Sequence, residues 1–313
     1  MSIAPIPVEA VEAPGLGPPD TVRPVTSRRR FWTAAWRALK RKPSRLAGAV
    51  IVLLFVLAGI AGPWIYPAPL PHDPDEIYDP ISWKHPLGTD FEGVDVLALL
   101  VSGTRNVLVV AAVAGAVTVL LGTGVGLLGG YRRDWSDSVL MRITDFVLTV
   151  PGFPLLVVLT TAVDFGAPVT MGLVLGVVGW GPLARAVRSQ TMSLRERGFV
   201  EAARGLGLPT RHIVLRELLP NIAPYVVMNL LLAVTGFIYA QVGLFFLGVL
   251  PLDTNNWGVM LNFAVYQGGA LLTPAALPYL LAPLGAILLL TLGIVLLVDA
   301  LDEIFNPRLR ESG

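Results

Sequence analysis

The chain of 313 residues is 54% apolar and only 14% charged, and its mean hydropathy is +0.68. Soluble globular proteins carry about 25% charged residues, so this composition excludes a soluble enzyme and a disordered protein. The chain has no cysteine, which excludes a disulfide scaffold and a cysteine-ligated metal site. Its apolar residues form blocks of about 20, the length of helix that crosses a bilayer. The sequence therefore predicts an all-α membrane protein with several spans.

The first 45 residues are predicted to lie outside the membrane, on its cytoplasmic side. Residues 1–27 contain six prolines and little periodic apolar pattern, which is typical of a disordered tail. Residues 28–45 are basic, and their apolar members recur at helical spacing. These apolar residues are Phe31, Trp32, Ala35, Trp36 and Leu39. The pattern indicates an amphipathic helix on anionic lipid. Together with the first span and the outer loop after it, this helix is assigned to an N-terminal unit of residues 28–102.

Six apolar segments are predicted to span the membrane. They cover residues 46–66, 106–130, 145–163, 169–184, 222–248 and 279–298. This arrangement puts 21 of the 23 Lys and Arg residues on one side and leaves only Lys84 and Arg105 on the other. Because cytoplasmic loops are enriched in Lys and Arg, the count predicts that both termini are cytoplasmic.

The predicted spans contain few polar residues and no ionisable residue at mid-depth. Ion-coupled carriers and selective ion pores use such charges, so both classes are disfavoured. The polar residues of the fifth span are Tyr225, Asn229, Thr235, Tyr239 and Gln241. They either line a translocation path or form hydrogen bonds between helices, and Asn229, Tyr239 and Gln241 are the candidate path residues.

Small residues and prolines predict how the spans pack and bend. Glycines recur at four-residue spacing in the second and fourth spans, at Gly122, Gly126, Gly130, Gly172 and Gly176. This spacing favours close packing within the chain over a dimer interface. In the third span, Pro151 and Pro154 flank Gly152 and Phe153, and we expect the helix to kink or break there.

No catalytic or nucleotide-binding motif stands out. A P-loop needs a Gly-Lys pair, and the sequence contains none. His72 beside Asp73 and Asp75 is interpreted as a solvated turn and not as a metal site. We therefore predict no catalytic residue, no metal and no cofactor bound by this chain. If ATP drives transport, its hydrolysis belongs to another polypeptide.

The arginine-rich segment of residues 196–220 is too polar to enter the bilayer and predicts a helix–turn–helix. The apolar residues of the first helix are placed on one face, at Phe199, Ala202, Ala203 and Leu206. Gly205 and Gly207 can end this helix, and Pro209 suits the first turn of the next. Such a unit either presents a compact surface to a partner or lies on lipid.

The order of residues in this segment resembles the EAA loop of ABC importer permeases. Glu201-Ala202-Ala203 is followed by Gly207 after three residues and by Leu219-Pro220 after eleven more. The flanks are similar to the C-type permease subunit of dipeptide and oligopeptide importers, a group that also handles nickel. The matching flanks are His85-Pro86-Leu87-Gly88-Thr89-Asp90, Gly129-Gly130-Tyr131, Gly179-Trp180, Trp257-Gly258 and Asn306-Pro307-Arg308-Leu309-Arg310. The resemblance covers about residues 30–310.

Departures from the family pattern occur at two informative positions. Val94 stands where the family usually has arginine, and Gln241 stands where we expect an acid near the end of the fifth span. Both departures leave the substrate class open.

The resemblance implies the MetI-like fold of a type I ABC importer permease, with six transmembrane helices, both termini cytoplasmic and a core in residues 103–313. It also implies a place in the bacterial cytoplasmic membrane. A coupling helix would dock in a groove of a cytoplasmic ATPase. Its residues are Glu201, Ala202, Ala203, Arg204, Gly207 and Leu208.

The implied partners are a second permease chain, two ATPase subunits that hold ATP and Mg²⁺, and an extracytoplasmic solute-binding protein. His85, Asp90 and Trp257 are the expected contacts of the binding protein, and no contact with nucleic acid is expected. The implied function is import of peptides or a related small solute, with ATPase motion coupled to alternating access and no ATPase site in this chain. Two alternatives stay open at this point: a stand-alone channel or facilitator, and a membrane scaffold that transports nothing.

Overall fold

The computed structural model describes residues 42–252 and 255–305. The predicted tail of residues 1–27, nearly all of the predicted amphipathic helix of residues 28–45, and Arg308 and Arg310 lie outside the described residues. Ten α-helices make up the described part of the chain. In order they are α1 (Pro43–Ile65), α2 (Val96–Arg132), α3 (Trp135–Thr149), α4 (Gly152–Leu159), α5 (Pro168–Gly179), α6 (Gly181–Arg195), α7 (Gly198–Gly205), α8 (Thr210–Phe246, with a π-helical turn at Ile213–Leu218), α9 (Trp257–Tyr266) and α10 (Leu277–Phe305).

Four helices, α1, α2, α8 and α10, are each long and apolar enough to cross a membrane. The pairs α3–α4 and α5–α6 meet this criterion only when each pair is taken together, and they bend by 79° and 49°. The described residues therefore provide four to six spans. The predicted spans of residues 46–66, 106–130, 222–248 and 279–298 coincide with the four long helices.

The predicted spans of residues 145–163 and 169–184 are corrected by the structure, because each crosses a break. Pro151 cannot donate a backbone hydrogen bond and keeps Val150 extended, with a ψ of 126°, so α3 ends there. The break predicted at the prolines is thus confirmed. The second break, at Trp180, precedes Pro182 in the first turn of α6. Helix α6 then continues to Arg195, through residues that the sequence assigned to a loop.

Helix α2 lies at the centre of the fold, and glycines let its neighbours approach closely. A methyl group on Gly126 would lie 2.6 Å from the Ala184 carbonyl oxygen of α6. On the other side, a methyl group on Gly176 of α5 would lie 2.6 Å from the Val117 Cβ of α2. The prediction that the spaced glycines pack within the chain is confirmed. Side chains at these positions would force the helices apart.

The first and last long helices are joined by an ion-pair cluster. Arg45, near the start of α1, is buried; its Nε donates to Asp299 Oδ2 at 2.8 Å, and its Nη1 pairs with Glu303 of α10. One turn further along α1, Gly48 contacts Leu296 so closely that a methyl group there would overlap it. The two termini of the described chain are therefore fixed to each other.

Candidate functional site

Helix α7 is a short helix that a glycine turn separates from α8. Leu206 N–H donates to the Ala202 carbonyl at 3.0 Å, and Leu208 N–H donates to the Ala203 carbonyl at 3.2 Å. Between them Gly207 has a φ of +70°, a left-handed conformation that glycine adopts without a steric penalty. Pro209 then precedes the first turn of α8. The predicted helix–turn–helix is confirmed.

Two different apolar stripes run along α7. Val200 and Ala203 are 0% and 5% exposed and pack into a cluster formed by α2, α6 and the start of α8. Phe199, Ala202 and Leu206 lie on the opposite side and are exposed, Leu206 to 78%. The single face predicted from the sequence is therefore wrong. Ala203 anchors the helix from within, and the exposed face of α7 consists of Phe199, Ala202 and Leu206.

The Tyr131 ring at the end of α2 contacts two arginines, Arg204 of α7 and Arg195 at the end of α6. The Arg204 guanidinium lies 5.2 Å from the centre of the Tyr131 ring, and that of Arg195 lies 6.0 Å from it. Arg195 Nη1 also donates to the Tyr131 carbonyl oxygen at 2.8 Å.

The predicted coupling residues differ in their surroundings: Arg204 contacts the Tyr131 ring, Leu208 is half-buried and Glu201 is exposed. Sequence reasoning missed the role of Tyr131, although an aromatic residue after two glycines at a helix end was its visible signal.

Salt bridges connect α6, which leads into α7, to α3. Arg188 binds Asp137 through two parallel hydrogen bonds of 2.7 and 2.6 Å, the geometry of a strong ion pair. Arg185 binds Asp145 at 2.5 Å further along the same two helices. Helix α7 is therefore connected through α6 to α3, and directly to α8 through the shared apolar cluster.

Both helix breaks face one cleft of about 540 Å³ between α2, α3, α4, α5, α6 and α8. Its walls are apolar except for Thr118 and Asn229. Asn229 Nδ2 donates to the Tyr225 carbonyl in its own helix at 2.9 Å. Of the three predicted path residues, the structure brings only Asn229 to this cleft.

The other two predicted path residues have different surroundings. Gln241 is fully buried, and its Nε2 donates to the Val107 carbonyl of α2 at 3.0 Å. It therefore joins two helices, which was the alternative interpretation of the polar residues in this span. Tyr239 is half-exposed, and its hydroxyl lies 3.0 Å from Thr291 Oγ1 of α10, away from the cleft lining.

The three residues predicted to contact a binding protein are all buried, which corrects that expectation. His85 bridges two carboxylates, with Nδ1 at 2.8 Å from Asp95 Oδ2 and Nε2 at 3.1 Å from Glu76 Oε2. Trp257 is 0% exposed and donates from Nε1 to the Leu100 carbonyl at 3.0 Å. Asp90 is 3% exposed. These side chains hold the outer segments together, and less than a tenth of each residue is exposed.

Asp90 organises a turn of the loop between α1 and α2. Its Oδ1 accepts the backbone N–H groups of Glu92 at 2.9 Å and Val94 at 2.8 Å. Burial raises the pKa of the Asp90 carboxyl above its ordinary value.

Among the described residues, no group of three potential metal ligands is found, so His72, Asp73 and Asp75 do not form such a group there.

Comparison with known proteins gives two family matches. The family described as binding-protein-dependent transport system inner membrane component matches residues 122–311, and the N-terminal TM domain of oligopeptide transport permease C matches residues 30–86. A Brucella suis protein named as a peptide permease is 34% identical over 249 residues, which cover 78% of this chain and 81% of that protein. The oligopeptide transport system permease protein OppC of Mycobacterium tuberculosis is 31% identical over 283 residues, 88% of this chain and 93% of that protein. OppC of Haemophilus influenzae is 29% identical over 252 residues, 76% and 78% of the two chains.

Proposed function

Because the chain belongs to the family of binding-protein-dependent transport system inner membrane components, it is a permease subunit of an ABC importer, and we propose that its cargo is a peptide. The chain itself is not catalytic and lies in the inner membrane as part of a larger complex. The peptide assignment rests on relatives of 31–34% identity that are named as peptide or oligopeptide permeases, and on the match of residues 30–86.

In the proposed topology each bent pair crosses the membrane once, which gives six spans with both termini in the cytoplasm. The lengths of α3–α4 and α5–α6 support this, since each pair is long and apolar enough only as a unit. The distribution of charge supports it as well, because Arg45, Arg188 and Arg195 all lie near the end of the bundle that carries α7.

The exposed face of α7 is proposed to dock in a groove of a cytoplasmic ATPase, which binds ATP and Mg²⁺. The observation that carries this proposal is the division of α7 into two apolar faces. Val200 and Ala203 fix the helix to the core, whereas Phe199, Ala202 and Leu206 are exposed, Phe199 to 37% and Leu206 to 78%. Exposed Glu201 adds a charge for the partner, and Gly207 sets the turn behind the docking surface.

The attachments of α7 support a proposed mechanism of alternating access. When two ATPase subunits close on ATP, the docked helix moves, and the motion passes through α6 to α3 and through the start of α8. The two helix breaks then reshape the cleft that Asn229 lines. We propose that a second permease chain completes the path and that an extracytoplasmic binding protein delivers the peptide to the opposite end.

Cysteine crosslinking tests the docking proposal. The chain has no native cysteine, so Ala202→Cys introduces a single reactive site. In the assembled transporter we expect Ala202→Cys and Leu206→Cys to crosslink to the ATPase subunit, while the matched variant Ala203→Cys, buried one residue away, reacts poorly. Failure of both exposed cysteines to crosslink, in complexes that retain the ATPase, would contradict the docking proposal.

Uptake measurements test the cargo and the requirement for ATP. Cells or proteoliposomes that hold the complete transporter are expected to accumulate a labelled oligopeptide only when ATP is supplied. Accumulation of Ni²⁺ without peptide would assign a metal cargo instead. Solute flux through the isolated chain without ATP would support the stand-alone channel or facilitator.

A further inference from the structure

A second concave surface lies outside the cleft, between α1 and α2, with α8 as its floor. Its volume is about 660 Å³, within the range of about 300–1,000 Å³ that is usual for ligand pockets. The walls are almost entirely apolar. The lining includes Val56, Ile60, Trp64, Arg105, Ala112 and Val234. The groove runs between two helices, α1 and α2, that are each long and apolar enough to cross a membrane.

Arg105 is the one charged residue that lines the groove. Within residues 42–252 and 255–305 its guanidinium makes no hydrogen bond or ion pair, and its side chain is exposed. Arg45, Arg185 and Arg188, by contrast, are each paired with a carboxylate. A cation beside a bilayer is costly unless an anion neutralises it. Arg105 therefore has no anionic partner among the described residues, and an anion from outside the chain would neutralise it.

The depth of Arg105 in the bundle matches the boundary between lipid tails and headgroups. A methyl group on Gly59 of α1 would lie 3.6 Å from the Arg105 Cα, so the two positions face each other. Gly59 lies six residues before the end of α1 at Ile65, about 9 Å along the helix axis. A long arginine side chain spans this distance and places its charge among the headgroups. Trp64, 79% exposed, stands at the same end of α1, where interfacial tryptophans lie.

We propose that this groove binds one anionic phospholipid, with an acyl chain between α1 and α2 and the phosphate at Arg105. The apolar walls match a hydrocarbon tail, and a single guanidinium matches a single phosphate through charge-assisted hydrogen bonds. The phospholipid belongs to the leaflet in which α1 ends. This site is separate from the cleft and from α7, and its occupancy does not depend on the cargo of the transporter.

Lipid retention on the purified, complete transporter tests whether the charge of Arg105 selects an anionic lipid. The protein is placed in bilayer nanodiscs of equal parts phosphatidylglycerol and phosphatidylcholine, and co-released lipid is counted by native mass spectrometry. We expect one retained phosphatidylglycerol per chain with about tenfold preference over phosphatidylcholine, equivalent to about 1.4 kcal/mol. Arg105→Gln should abolish the preference. Arg142→Gln, which removes an exposed arginine on α3, should leave it unchanged.

A bulky side chain in the groove tests whether an acyl chain lies there. Ala112→Phe adds a ring to the groove wall and should lower retention of both lipids, whereas Ala116→Phe, one turn along α2 and outside the lining, should not. Equal phosphatidylglycerol retention by the wild type and Arg105→Gln would overturn the proposal. So would displacement of the lipid by free glycerol 3-phosphate, which would mark a simple anion site. Efficient crosslinking of Ile60→Cys to the second permease chain would show that protein and not lipid covers the groove.

Discussion

The loop of residues 66–95 and helix α7 lie at opposite ends of the bundle, and they use their recognisable residues in opposite ways. In the loop, His85 and Asp90 are buried and bind other parts of the same loop. In α7, Glu201 and Ala202 remain exposed, and only Ala203 of the Glu-Ala-Ala triplet faces the core. A motif therefore marks positions that need a particular residue, and it does not show whether a partner or the fold itself imposes that need.

The difference has a physical cause in the backbone. The loop contains only one short 3₁₀ turn, at Pro74–Glu76, so most of its buried N–H groups need side-chain or irregular backbone acceptors. Asp90 satisfies two of these groups by itself. In α7 the helix satisfies its own backbone, and two anchoring side chains are enough to hold it. The outer face of α7 is consequently free for binding.

The largest expected effect is at Trp257. Trp257→Ala removes a fully buried ring and its hydrogen bond to Leu100, and we expect a loss of about 3–5 kcal/mol in the free energy of unfolding. The melting temperature of the purified protein measures it. Trp83→Ala, which removes a fully exposed ring from the outer loop, is the matched control and should leave the melting temperature unchanged. Equal losses in both variants would contradict the assignment of Trp257 to the core.

Adjacent alanines of α7 separate anchoring from docking. Ala203→Asp buries an uncompensated charge and should cost about 3 kcal/mol, measured as reduced thermal stability. Ala202→Asp places the same charge in water and should alter stability by less than about 0.5 kcal/mol. It should nevertheless abolish ATP-driven uptake. Normal uptake by Ala202→Asp would contradict the proposal that the exposed face of α7 docks to the ATPase.

The turn after α7 gives a smaller effect. Gly207→Ala forces a side chain into a left-handed conformation and should cost about 1 kcal/mol, although no atom would clash with the new methyl group. Gly205→Ala, also free of clashes but inside the helix, should be neutral or slightly stabilising. A denaturation series of both variants measures the difference. If the two substitutions have the same effect, backbone conformation is not the reason for glycine at position 207.

The smallest expected effect is the pH dependence at Asp90. Because burial raises the pKa of this carboxyl, the folded chain binds its proton more tightly than the unfolded chain. Stability from this group is therefore gained as the pH falls through the raised pKa and lost as it rises. Asp90→Asn keeps the Oδ1 acceptor and removes the titration. As the pH is lowered from 7 to 4, the melting temperature of the wild type should rise relative to that of Asp90→Asn. A difference in melting temperature that stays constant with pH would contradict the pKa shift.

The sequence allowed the long helices to be predicted, since α1, α2, α8 and α10 are continuous apolar stretches of sufficient length. Pro151 also identified one break. The break at Trp180 was missed because the span of residues 169–184 was drawn from the apolar residues of α5, and Gly179, Gly181 and Pro182 near its end were not interpreted as a helix break. Periodicity placed α7 but not its buried face, because both of its stripes are apolar. Burial of Trp257 depends on Phe55 and Leu100, which are distant in sequence, and no local pattern records such contacts.

The ion pairs of Arg45 have a consequence for biogenesis. The ribosome delivers α1 first and α10 last, so this guanidinium meets Asp299 and Glu303 only after almost the whole chain has been synthesised. Until then the first helix carries an uncompensated cation into the assembly process. A polypeptide truncated before α10 lacks both carboxylates, so its Arg45 guanidinium never gains these partners.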